Sequence, residues 1–192
     1  MMRIVVAVCF TAVVVLFFVS PVIAEFQPFR PLPAQPPIPD DNPMSPVKTD
    51  LGRQLFFDSR LSVNGSLSCN SCHNLFAGGE DGRSVSTGAL GENGKRSSPT
   101  LWNVSFNTVY FLDGRAISLE EALKEHLISK KTMAMPNTER VVKRINGIEG
   151  YQEAFQRTFG DDAPISYDNI AKALAAYLRT LVTQDSPFDQ YL

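Results

Sequence analysis

The feature that most constrains this chain is the pentapeptide Cys69-Asn70-Ser71-Cys72-His73, because two thiols three positions apart and followed at once by an imidazole serve very few purposes. A closed zinc site wants about four Cys or His ligands. The only other histidine is His126, and the third cysteine, Cys9, lies far away in an apolar N-terminal run. A thioredoxin-like pair wants a strand before it and a helix after it, and neither pattern is present. The remaining chemistry is covalent attachment: the two thiols add to the vinyl groups of a haem and the adjoining imidazole becomes its proximal ligand. Cys69, Cys72 and His73 are therefore the primary candidate site, for one covalently attached haem c with His73 on the iron.

Covalent haem attachment belongs to exported proteins, and the N-terminus agrees. Arg3 precedes an almost unbroken apolar run over residues 4–19, and Val22 and Ala24 supply small side chains ahead of a cleavage point. Residues 1–24 thus read as a signal peptide directing the chain to the periplasm. The apolar run is short for the ~20 residues of a membrane span and Pro21 breaks it, so membrane association is expected only if this segment stays uncleaved. Cleavage would remove Cys9 and leave Cys69 and Cys72 as the only thiols.

Eight of the 13 prolines fall between residues 25 and 46, so residues 25–48 are expected to be an extended tether or a strap over a domain spanning 49–192. A short helix capped by Thr49 or Asp50 should run to residue 57. Residues 59–100 carry repeated Asn-Gly, Gly-Gly and Asp-Gly turns, and so long an irregular stretch usually wraps something. Further helices are expected over residues 118–126, where Ser118 and Glu121 form a capping box, and over 138–145, 150–159 and 166–183. In the last, Ile170, Leu174, Tyr177, Leu178 and Leu181 share one face. No alternating strand pattern competes. The expected fold class is all-α: a cytochrome c-like helical domain with long irregular loops around a covalent haem.

The formal charge is −2 and no run of Lys or Arg exceeds two residues, so nucleic acid is not expected as a partner. What the haem would do depends on the sixth position of its iron. A strong ligand makes an electron carrier; an open position makes a site for peroxide or a gas. Candidates for that ligand are His126, Met44, Met133 and Met135. Met133 and Met135 also suit a core, and His126 also suits the C-terminal dipole of its helix as a protonated cap.

Several separated stretches, in order, resemble the bacterial di-haem cytochrome c peroxidase and MauG family: residues 67–73, Arg96-Ser97-Ser98-Pro99-Thr100-Leu101-Trp102-Asn103, Phe111-Leu112-Asp113-Gly114-Arg115-Ala116, residues 169–174, and Ser186-Pro187-Phe188-Asp189. The resemblance implies that residues 51–192 match the N-terminal domain carrying the peroxidatic haem, with a second haem domain following in the family. It also suggests Arg96 and Arg115 as partners of haem propionates, against the alternative of an ordinary surface ion pair.

The departures concern the distal side. The family's distal His after a Ser-x-Gly segment is Ala89 here, its pocket Gln is Ala122, its acid before a Met is Thr132, and its Trp before Asp-Gly-Arg is Leu112. None of the first three can move a proton between peroxide oxygens, help worth ~10²–10⁴-fold. The sequence therefore suggests electron transfer or redox relay, with a small redox protein or separate haem domain as partner. The alternatives are a peroxide-reducing subunit or fragment that needs a second haem domain, and a gas-binding sensor or scaffold.

Overall fold

The computed structural model describes residues 29–162 and 164–192. The expected signal peptide lies outside them. Residues Pro31–Leu192 form one compact unit; of the other, Met1–Arg30, only Phe29 and Arg30 are described, exposed and without regular structure.

Seven α-helices occur among the described residues: α1 Pro46–Phe57, α2 Cys69–Cys72, α3 Leu119–Ile128, α4 Thr138–Asn146, α5 Tyr151–Phe159, α6 Tyr167–Leu178 and α7 Pro187–Tyr191. No strand is present among them, only three isolated antiparallel bridges, one of which joins Tyr110 to Ala116. The fold is all-α and cytochrome c-like, as expected.

The frame is α1 crossed on α6, with α3 against α6 and α5 against α1. α6 buries more than the single expected face: Ala171, Ala173, Ala175 and Ala176 are buried beside Ile170, Leu174, Tyr177 and Leu178. Its alanines let neighbours approach from several sides. At the α1 crossing a Cβ on Gly52 would stand 1.9 Å from the Ala173 carbonyl oxygen, so only glycine permits this contact.

Two expected boundaries need correction, and one helix is additional. The cap of α1 is Ser45, whose Oγ accepts from the Lys48 N–H at 3.2 Å, with Pro46 at the first helical position; neither Thr49 nor Asp50 serves. α6 ends at Leu178, five residues short of the expected 183. Asn103 takes over the chain beyond it, donating its backbone N–H to the Leu181 carbonyl (2.7 Å) and accepting at Oδ1 from the Thr183 N–H (2.8 Å). Helix α7 was not expected, although Ser186-Pro187 has the same Ser-Pro start signal as Ser45-Pro46.

A buried ion pair ties the frame together. Arg179 donates to both carboxylate oxygens of Glu120 (2.7 and 3.1 Å), and Asn42 also donates to Glu120 at 2.7 Å. Asn42 accepts in turn from the buried Lys48 ammonium at 3.0 Å and donates to the Lys172 carbonyl. Burial alone would raise the Glu120 carboxyl, but the Arg179 and Asn42 hydrogen bonds hold it below its ordinary value.

Candidate functional site

From Phe57 to Leu119 the chain holds no helix longer than α2, and this irregular region carries the site. The four-residue α2 places Cys69 and Cys72 one turn apart on one face. Its start is held by the Ser68 N–H donating to Ser71 Oγ (3.0 Å), and its exit by the Leu75 N–H donating to Asn70 Oδ1 (3.1 Å). Both cysteines are free thiols, half-buried. Burial, with Cys72 adding, pushes the Cys69 thiol up to about 12. Burial and Asp81 raise the Cys72 thiol as well. A redox pair needs a thiol lowered toward ambient pH, so this environment argues against thioredoxin-like exchange. Among the described residues no group of three His, Cys, Asp or Glu side chains is gathered as a closed metal site would need.

His73 is buried, and its Nδ1 lies 2.9 Å from the Pro99 carbonyl oxygen. A carbonyl can only accept, so Nδ1 carries the proton and Nε2 keeps its lone pair. That is how metal-bound histidines are ordinarily held. Burial lowers the pKa of His73, partly offset by the Pro99 and Gly79 backbone, which favours the neutral ring that ligates iron.

The Pro99 carbonyl is placed by a clamp between two loops. Thr100 Oγ1 donates to the Gly78 carbonyl at 2.6 Å, and Gly79 sits at φ +79° so close to Thr100 that a Cβ there would come within 2.7 Å of its hydroxyl. The sequence showed the Gly78-Gly79 turn but not its partner. The residues present thus fit a haem: two thiols on one face, and beside them an imidazole with its donor nitrogen already turned away.

Across from His73 stands His126, with ring centroids 6.0 Å apart and planes at 50°. It is half-buried in the last turn of α3, which continues to Ile128, and burial, then His73 and Arg115, push its pKa down to about 3, away from the protonated form that a charged cap would need. The carbonyl of His126 is instead taken by the hydroxyl of Thr132, which also donates to the Ser129 carbonyl. The His126 ring stacks on Phe111 at 6.0 Å and 19°, and the Arg115 guanidinium lies 3.5 Å from the Phe111 ring centre. Phe111 itself holds φ +62°, a left-handed conformation rare for an aromatic residue. No sequence signal marks Phe111 for this task.

The three distal departures gather around His126. The Ala89 N–H donates to the Thr132 carbonyl at 2.8 Å, Thr132 bonds the His126 carbonyl, and Ala122 precedes His126 by one turn of α3. Met133 and Met135 lie in the hydrophobic core, 4% and 1% exposed, and Met44 is half-buried in the segment before α1. Arg96 and Arg115 converge on Asp113, at 3.1 and 2.7 Å, and Arg115 also donates to Glu125 at 2.8 Å. Asp113-Gly114-Arg115 forms the tip of a turn whose Gly114 is at φ +70°. Leu112 is exposed on that turn.

An all-α domain of the cytochrome c kind, with a CxxCH helix facing a second histidine, is what fold and site define. A model of the di-haem cytochrome c peroxidases matches residues 46–192. Cytochrome c551 peroxidase of Pseudomonas aeruginosa is 43% identical over 166 residues, 85% of this chain and 47% of that protein. The methylamine utilization protein MauG of Methylorubrum extorquens is 38% identical over 159 residues, 83% of this chain and 45% of that protein. The crystal structure of a MauG-like protein associated with microbial copper homeostasis superposes with a TM-score of 0.75 at 33% identity, over 83% of this chain and 48% of that one. The chain belongs to the di-haem cytochrome c peroxidase family, and it spans about half the length of the relatives it matches.

Proposed function

We propose that the chain is an exported haem c protein that holds one haem through Cys69 and Cys72, with His73 as proximal ligand, and works in electron transfer or redox relay. The observation that carries this reading is the His73 Nδ1 bond to Pro99 beside two thiols on one face of α2. When bound, the haem supplies a one-electron Fe(III)/Fe(II) couple. Around it this chain's residues exclude proton chemistry more than they promote it. Ala89 and Ala122 have no polar side-chain atom, and the Thr132 hydroxyl is committed to the carbonyls of His126 and Ser129. The partner is a small redox protein or a separate haem domain, met in the periplasm after removal of residues 1–24.

Stopped-flow mixing of the ferric protein with hydrogen peroxide, beside reversible reduction and reoxidation, tests this reading. Electron relay predicts full redox cycling and a slow peroxide reaction. A reaction as fast as that of ordinary haem peroxidases would overturn it in favour of the second reading, a peroxide-reducing subunit or fragment supplied with electrons by another haem domain. That reading is favoured by the relatives, several of which are cytochrome c peroxidases.

A further inference from the structure

We propose that His126 is the second axial ligand of the haem iron, on the side opposite His73. This rests on the haem reading above and deepens it, because it names the residue that fills the sixth position.

The first support is spacing. Two imidazoles bound to one metal from opposite sides have centroids roughly 6 Å apart, given about 2 Å for each metal–nitrogen bond and about 1 Å from nitrogen to ring centre. The observed separation of His73 and His126 is 6.0 Å. No hydrogen bond joins the two rings, so the approach is not explained by one imidazole donating to the other.

The second support is how His126 is held. Its backbone carbonyl accepts from Thr132, and its ring lies on Phe111, which the Arg115 guanidinium covers. Arg115 is fixed in turn by Asp113 and by Glu125, the neighbour of His126 in α3. Yet neither nitrogen of the His126 ring has a hydrogen-bond partner among the described residues. An imidazole oriented from outside by its backbone and ring contacts, with both nitrogens unused, is prepared for a metal.

The third support is the lack of a competitor. Met133 and Met135 are in the hydrophobic core and Ala89 has no donor atom, whereas the His126 ring lies 6.0 Å from that of His73. His126 thus supplies from α3 the coordination that Ala89 does not supply from the Ser-x-Gly segment. A histidine on each side makes a six-coordinate iron with no open position for peroxide, which is the arrangement of an electron carrier.

The test is the optical and EPR spectra of the ferric, haem-loaded protein, unsubstituted and as His126→Ala and His126→Met. The unsubstituted protein should be low-spin with two nitrogen ligands. His126→Ala should lose that signal, become high-spin and regain low spin with added imidazole, while its covalent haem content stays unchanged. His126→Met should stay low-spin with a histidine–methionine signature. A haem-loaded, unsubstituted protein that is high-spin, or a His126→Ala protein still low-spin without imidazole, would overturn this inference alone. Absence of covalent haem from the unsubstituted protein would overturn the underlying reading and this one with it.

Discussion

The helical frame and the irregular region from residue 58 to residue 118 solve different problems with different interactions. In the frame, α1, α3 and α6 bury apolar side chains around one ion pair, Glu120 with Arg179. In the irregular region few residues are fully buried, and position is set one hydrogen bond or ring contact at a time: His73 on Pro99, Thr100 on Gly78, Phe111 under Arg115. The frame therefore determines whether the chain folds, and the irregular region determines how two histidines face each other. His126 is where they meet, since α3 supplies its backbone and the turn at 111–115 its ring contacts. Substitutions should accordingly separate, with frame changes read as stability and loop changes read as the haem spectrum.

The largest stability effect is expected from Arg179→Met, which leaves Glu120 buried without its cation. Breaking such a pair costs about 3–5 kcal/mol. Urea unfolding of the haem-loaded protein should show that loss, with the spectrum of the folded fraction unchanged; a spectral change in the folded protein would show that frame and site are not separable.

Next in size is Gly52→Ala at the crossing of α1 and α6. The new methyl cannot coexist with the Ala173 carbonyl at its present distance, and overpacking of this kind costs about 1–3 kcal/mol. A midpoint in urea equal to that of the parent would mean that the helices separate freely there, against the close crossing described above.

Gly79→Ala should have the reverse signature. Its left-handed backbone costs an alanine about 1–2 kcal/mol, and the Cβ pushes on the Thr100 hydroxyl next to Pro99. The spectrum should shift because His73 loses its fixed acceptor. Lost stability with an unaltered spectrum would mean that Pro99 does not orient His73.

Acid should act through the frame. The Glu120 carboxyl is held below its ordinary value of 4.5, so the unfolded chain binds more protons than the folded one as pH falls. Its contribution is fully present above that value and is lost as pH drops through the lower, folded one. Glu120→Gln should flatten this part of the stability profile, measured by urea midpoints across the acid range. The smallest effect belongs to Thr132→Ala, about 0.5–1.5 kcal/mol for a lost hydroxyl bond, with a slight change in the spectrum as α3 loosens beyond His126.

Much of the frame was legible in the sequence because it follows periodicity and caps. The Gly160 end of α5 and the Ile170, Leu174, Tyr177 and Leu178 face of α6 occur as read, and Ser118 caps α3, although Glu121 accepts from the Ile117 N–H and so does not close the expected capping box. Misjudged boundaries arose where a side chain distant in sequence competes with the helix, as Asn103 does for residues 181–183. Others arise where a Ser-Pro helix start lies next to further prolines or a chain end, as at Ser45 and Ser186. The ion pair of Glu120 with Arg179 was not legible, since 59 residues separate its partners and both suit a helix surface.

Of the site, Cys69, Cys72 and His73 stand out by spacing alone. The task of Pro99 was hidden because a backbone carbonyl leaves no mark in residue type. His126 was legible only as one of several possible ligands; its position opposite His73 depends on the placement of α3, which no local pattern reveals. For Arg96 and Arg115 the sequence offers propionates or a surface ion pair, and their shared contact with Asp113 exists only once the turn at residues 111–115 is folded.

The most direct test of the central claim is the intact mass, with haem staining under denaturing conditions, of this chain produced in a periplasm with haem c maturation. The account predicts one haem per chain, still attached after unfolding and absent when Cys69→Ala and Cys72→Ala are combined. A chain without haem, or a haem that dissociates on unfolding, or one that persists in the double variant, would contradict it.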